Sequence, residues 1–275
     1  MIENHINEQE LLKKIIGLFE YRLFPTLISS THDTPESISQ FTQDLIALQT
    51  AIYYLDAHLE GNWVTDPSIL KWHWDNIESK LHQFSLGATD TTSYLNHIRK
   101  YEKHELELRV GKTPLRFDME YFYFYKSCDV KLLRRLIYEH YKLNPSWGQL
   151  ADWRYYDLVT EVNDDVEDLF EDLDFINGNR FLISLILKGR AETKASFTEF
   201  LDQILAKSSE KHQNHPNEWL RRLHDMTVVR IDETKALIEI QLEKISNGKL
   251  LTSQLVPYLN QKGMTSISHH NITNL

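Results

Sequence analysis

The sequence predicts an all-α protein, a single-domain antiparallel helical bundle, on three observations. Apolar residues recur at helical spacing almost from end to end, while strict alternation is scarce. Helix breakers are few, with 9 Gly and 7 Pro in 275 residues. Capping signals stand where one periodic stretch gives way to the next. No internal repeat, low-complexity tract or long linker divides the chain. The expectation is one domain over 1–262 and a flexible tail over 263–275.

In order, the pattern predicts a first helix over 7–27. Thr34-Pro35-Glu36 supplies an N-cap and a first-turn proline for a second, over 35–61. Asp66-Pro67 opens a third, to 84. A fourth covers 91–109, and a break follows from Gly111 to Pro114. An aromatic helix over 117–125 precedes one over 129–143. After Asn144-Pro145 a long acidic helix is expected over 146–174. Asn177-Gly178-Asn179 ends it, with Gly178 read as a left-handed cap. Then come an apolar helix over 181–187 and a helix opened by a Ser196-x-x-Glu199 capping box. Pro216 opens a long helix to 246, stopped by Asn247-Gly248. A short one is expected over 252–260.

Composition narrows the function. Hydrophobic residues make up 41% and charged residues 25%, as in soluble globular chains. The net charge of −10 argues against a nucleic-acid binder, which needs basic surface. The single cysteine, Cys128, excludes an internal disulfide and suits a reducing compartment. The N-terminus is too polar for a signal peptide. No apolar run approaches the roughly 18 residues that span a bilayer. The expected location is the cytoplasm, and a homodimer is compatible with the chain. There are 13 His, but none form a convincing ligand pair on one helix, and His269-His270 falls in the expected tail.

The run from Asn163 to Asp172 carries the sharpest signal. On a helix Asp164, Asp168 and Asp172 fall at i, i+4 and i+8 and make one carboxylate row, extended backward by Asp157 and Glu161. Like charges on successive turns repel, so the row asks for a counter-charge. Mg²⁺ prefers hard oxygen ligands and shared phosphates. A second acidic site ends the helix over 35–61, where Asp56 and Glu60 are four residues apart. An apolar stripe that includes Ile52 and Gln49 leads up to them. Carboxylates at a helix C-terminus oppose the helix dipole. Two helices sharing that cost suggest that their ends meet, over an apolar pocket suited to a diphosphate with a greasy tail. His58 points elsewhere on its helix.

These residues resemble the class I isoprenoid synthase fold, the all-helical fold of terpene cyclases and isoprenyl diphosphate synthases. The family's second metal motif is matched by Asp164-Asp165-Val166-Glu167-Asp168-Leu169-Phe170-Glu171-Asp172, with Gly178 and Asn179 after it. The resemblance spans roughly residues 35–245 and extends to the helix order between the acidic sites. It implies that Asp164, Asp168 and Asp172 hold one metal of a Mg²⁺ cluster. Asp56 and Glu60 stand where the family has a richer aspartate motif, as a sparse DxxxE. No clear C-terminal Arg-Tyr pair is present.

The implied function is a Mg²⁺-dependent terpene synthase-like enzyme that ionises a prenyl diphosphate, with the cation cyclised or deprotonated in an apolar pocket. Arg suits diphosphate because its planar fork binds oxygens in pairs. Arg180, directly after the acidic helix, is the first candidate. Arg109 and Arg134 come next, with Lys112, Arg116, Lys188, Arg190, Arg221, Arg222 and Arg230 behind them. Trp153 is the aromatic candidate for a cation–π contact. Substrate contacts are expected from Ile52, Gln49, Asp157, Glu161, Arg109 and Arg134. Three alternatives remain: an isoprenyl diphosphate synthase, a helical nucleotide pyrophosphohydrolase and a non-catalytic helical protein that binds a lipid or a partner.

Overall fold

The computed structural model describes residues 7–84, 91–143, 145–246 and 255–261, without the side chains of residues 246, 256 and 260. Among the described residues there is no strand. The α-helices are α1 (Glu8–Tyr21), α2 (Phe24–Ser29), α3 (Pro35–Gly61), α4 (Pro67–Leu81), α5 (Thr91–Leu108) and α6 (Met119–Lys126). They continue with α7 (Cys128–Tyr141), α8 (Arg154–Glu167), α9 (Arg180–Lys188), α10 (Arg190–His212), α11 (Glu218–Ser246) and α12 (Leu255–Gln261). The expected helix stop at Asn247-Gly248 and the expected tail lie outside the described residues.

Side-chain caps set several of the starts, at Thr34 and Asp66 as the sequence suggested and at Asn179, which the sequence marked only as the end of the acidic helix. The oxygens of Thr34, Asp66 and Asn179 accept from the N–H groups of Ser37, Ser68 and Leu182, and so fix the first turns of α3, α4 and α9.

Four local expectations need correction. The first helix stops at Tyr21, because Leu23 sits in the left-handed region at φ +63° and turns the chain into α2. The acidic helix is shorter than expected. Two 3₁₀ turns, Pro145–Trp147 and Leu150–Trp153, precede α8, and two more, Asp168–Phe170 and Asp172–Asp174, follow it. Asp164 therefore lies on the α-helix, while Asp168 and Asp172 lie on the tighter turns beyond it. The helix α10 begins at Arg190, so Ser196 is interior and its hydroxyl donates to the Thr193 carbonyl instead of capping. Gly178 is not left-handed; among the described residues the glycines with positive φ are Gly111, Gly148 and Gly189.

The amphipathic α8 is the organising element. Leu158, Val159, Val162 and Val166 are almost wholly buried, and the most extensive contact of the molecule is that of α8 with α11. The helices α6, α9 and α10 close round it. A second apolar cluster joins α1, α2, α3, α4 and α7, with Ile15, Leu27, Leu45 and Leu48 wholly buried. Each such side chain contributes about 1.5–3 kcal/mol on burial. No described helix is long and apolar enough to cross a membrane.

Candidate functional site

The last turn of α3, which carries Asp56 and Glu60, meets the strap that follows α8. The Ile176 N–H donates to the Glu60 carbonyl at 2.8 Å. The Asn177 side-chain amide donates to Glu60 Oε1 at 2.6 Å and to Asp172 Oδ1 at 2.8 Å. The Asn179 amide donates to Asp172 Oδ2 at 2.6 Å and to the Asp165 carbonyl at 2.7 Å. One asparagine thus ties Asp172 to Glu60, which lies 117 residues before the asparagine itself. Glu105 of α5 lies against the same strap. A Cβ on Gly178 would stand 2.1 Å from Glu105 Oε1, so close approach rather than backbone angle favours glycine here.

The carboxylates at this junction crowd one another. Asp56 is pushed up to about 6, by burial first and then by Asp129 and Asp164, against the pull of Lys126. Burial, Asp56, Asp172 and Glu105 raise Glu60 well above its ordinary value. Asp168 is pushed up to about 7 by burial and by Asp164. Asp172 reaches about 7 through burial, which outweighs its bond from Asn179. Glu105 also reaches about 7, through burial and Asp56. Asp56, Glu60, Asp164 and Asp168 keep part of their surface open to water, while Asp165 and Asp172 keep almost none. Burial is the largest cause of the shift at Asp56, Glu60, Glu105, Asp168 and Asp172 alike, and repulsion from a neighbouring carboxylate adds to it.

The cations are distributed unevenly. Lys126, at the end of α6, pairs with Asp165. Asp165 also accepts from the Tyr123 hydroxyl and the Arg180 backbone N–H, each at 2.8 Å. Lys126 draws down Asp56, Glu60, Glu105, Asp168 and Asp172 together, which places it as the shared counter-charge. Lys14 pairs with Glu171 at 2.7 Å on the surface. Tyr21 donates to Asn163 Oδ1 at 2.6 Å, and the Arg230 guanidinium lies 4.0 Å over its ring.

Several residues singled out from the sequence are engaged elsewhere. Arg134 is buried and grips Asp157 with both terminal nitrogens, stacked 4.1 Å over Trp153. Trp153 is wholly buried, and its N–H donates to the Tyr138 hydroxyl at 2.8 Å. Glu161 pairs with buried Arg22 at 2.6 Å. Arg109 caps the C-terminal end of α3 by donating to the Leu59 and Asn62 carbonyls. The Arg180 guanidinium donates to the Pro114 carbonyl at 2.6 Å. Gln49 is buried and donates to Asp129 Oδ2 at 2.7 Å, so it reaches the acidic junction through Asp129. Ile52 is 7% exposed and Leu48 and Leu45 are not exposed at all, so the apolar stripe of α3 is packed rather than lining an open pocket. A crevice lined by residues such as His104, Glu105, Lys112 and Phe117 is too narrow for a water molecule.

The junction offers oxygen donors alone, crowded enough that a bound cation would relieve them, which is the chemistry of a hard divalent ion. Among the described residues no three His, Cys, Asp or Glu already stand as a metal-holding group. Sequence reasoning passed over Glu105, Lys126, Asp129 and Asn177. Asn177 looked like a helix stop, and Lys126 looked like the end of an aromatic run. Neither carries a local sign of its partner on α3 or α8. Compared with models of known protein families, with curated proteins and with solved structures, the chain matches none.

Proposed function

We propose that the protein is a divalent-metal-dependent enzyme of the class I isoprenoid synthase kind, acting on a prenyl diphosphate. The observation that supports this reading is the Asn177 bridge. It joins Glu60 of α3 to Asp172, while Asp164 acts on both Asp56 and Asp168. These five carboxylates would hold Mg²⁺, which supplies charge to the departing diphosphate. Lys126 acts on Asp164 as well as Asp165, and Arg230 stands over Tyr21, which also feels Asp164. In this reading both cations would turn from their present partners, Asp165 and Glu233, to donate to diphosphate oxygens. Arg180 holds Asp165 through its backbone N–H and so serves the site by position. The prenyl chain finds no ready cavity beside α3, so binding requires the bundle to part there. A cyclase and a prenyltransferase would share these residues, and product analysis separates them.

The packed interior favours one second reading, a non-catalytic helical protein that docks a partner. Its surface would include Val64 and Trp72, which are 88% and 60% exposed. One calorimetric experiment divides the two readings. A non-hydrolysable farnesyl diphosphate analogue is titrated with and without Mg²⁺ into wild type and Asp164→Ala. Binding that needs both the metal and Asp164 supports the enzyme. Absence of binding under every condition removes it.

A further inference from the structure

On the far side of the α3 end from the carboxylates, α3 and α4 bring two histidines together. The rings of His58 and His73 have centroids 5.1 Å apart and are tilted by 35°. His73 is 7% exposed, and its Nδ1 is buried without a hydrogen-bond partner. His58 turns Nδ1 toward the Asn62 amide at 3.4 Å, and its Nε2 is likewise buried without a partner. A buried polar atom left unpaired is costly, and two on neighbouring rings can share a common remedy. We propose that His58 Nε2 and His73 Nδ1 form a two-histidine site for a first-row transition-metal ion, Zn²⁺ being the probe of choice.

The geometry fits this assignment. Two imidazoles on one tetrahedral ion, with Zn–N contacts of about 2.0–2.1 Å, place their ring centres about 5 Å apart. Burial holds His73 far below the usual imidazole range, at about 4, so its lone pair is free at neutral pH. Imidazole nitrogen also suits Zn²⁺ and Cu²⁺ rather than Mg²⁺, so the pair is chemically distinct from the carboxylate junction. Among the described residues no third His, Cys, Asp or Glu completes a set with the pair. Two histidines would thus be the protein's share of the coordination, and Asp66, the cap of α4, acts on His58 from nearby. An ion here would staple the last turns of α3 to the first turns of α4. The sequence concealed the pair because its members lie on different helices.

The test uses the full chain with His269→Ala and His270→Ala, which removes the one adjacent histidine pair of the sequence, in buffer holding excess Mg²⁺. Zn²⁺ is titrated calorimetrically into this background and into its His58→Phe and His73→Phe derivatives. One ion bound in the background, with at least a tenfold loss of affinity in each derivative and unchanged circular dichroism, is expected. No Zn²⁺ binding, or equal binding in the folded derivatives, overturns the site. Cu²⁺ electron paramagnetic resonance on the background chain gives a reading that needs no core substitution. Hyperfine structure from two imidazole nitrogens is expected, and its absence is a second way to lose the proposal. Neither result depends on the fate of the carboxylate junction.

Discussion

The two halves of the acidic run on α8 carry the same side chains in opposite circumstances. In the first half Asp157 is clamped by Arg134 and approached by Arg22 at 3.8 Å, and Arg22 pairs with Glu161 at 2.6 Å. These charges lie in the core beside their own cations. In the second half, among the described residues, no ion pair engages Asp164, Asp168 or Asp172. Asp172 is held by two asparagine amides instead. The boundary is gradual. Glu161 is still pushed up to about 7, because burial, Asp164 and Asp129 outweigh Arg22 and Lys126. The helix α8 thus uses carboxylates as internal fasteners, and its last turn with the 3₁₀ turns beyond carries an unbalanced cluster. An acidic row read from spacing alone merges the two.

The comparison breaks most visibly at Arg134. Replacing it with alanine leaves Asp157 buried with only the distant Arg22, and also removes the stack on Trp153. Loss of one partner of a buried pair costs about 3–5 kcal/mol. Urea denaturation should show a loss of that size, with part of it restored in Arg134→Met/Asp157→Leu, which removes both charges. A loss below about 1 kcal/mol would mean that the first half is no more fastened than the second.

The second half should reveal itself through pH. Asp168 and Asp172 move from an ordinary 3.8 to about 7 on folding, and Asp56 to about 6. Between those limits the folded chain holds protons that the unfolded chain has released. The stability tied to these groups is complete below about pH 4 and is lost as pH rises toward 7. The metal-free protein should therefore melt about 5 °C lower at pH 8 than at pH 5.5, the equivalent of about 2 kcal/mol. Asp168→Asn with Asp172→Asn should flatten that slope, and Mg²⁺ should raise the melting point at pH 8 more than at pH 5.5. A midpoint that climbs from pH 5.5 to 8, or a double variant with the wild-type slope, contradicts the electrostatic picture.

How far the sequence could reach follows from the range of each interaction. The helices were legible because their signals are local. Thr34-Pro35 opens α3 and Asp66-Pro67 opens α4 through bonds within the first turn. The acidic junction was half legible. The spacing of Asp164, Asp168 and Asp172 marked the row, and Asp56 with Glu60 marked the other end. What spacing could not supply was the end of α8 at Glu167, since the 3₁₀ turns beyond it are shaped by Asn177 and Asn179 folding back on Asp172. Arg134 and Trp153 were attractive for their chemistry, but their partners Asp157 and Tyr138 are set by tertiary packing.

The strap offers a smaller test of the same contrast. Asn177→Ala removes the amide shared by Glu60 and Asp172 and lets the two carboxylates separate. Bonds to charged acceptors are worth about 1.5–3 kcal/mol each, yet the repulsion relieved here offsets part of the loss. A net cost of about 2 kcal/mol is expected in metal-free protein, together with a weaker response to Mg²⁺. An unchanged Mg²⁺ response would separate the bridge from the metal reading.

Gly178→Ala should have the smallest effect and gives the cleanest logic. The added methyl would collide with Glu105 Oε1, and Cδ stands only 3.0 Å away, so the carboxylate has to swing within a buried site. Its side chain is flexible, which limits the cost to about 1 kcal/mol. In a Glu105→Ala background the same substitution meets no carboxylate and should cost almost nothing. A double-mutant cycle reads that coupling directly. Equal costs in the two backgrounds would place the requirement for glycine in the strap's backbone, and Glu105 would then be a neighbour of the junction rather than one of its walls.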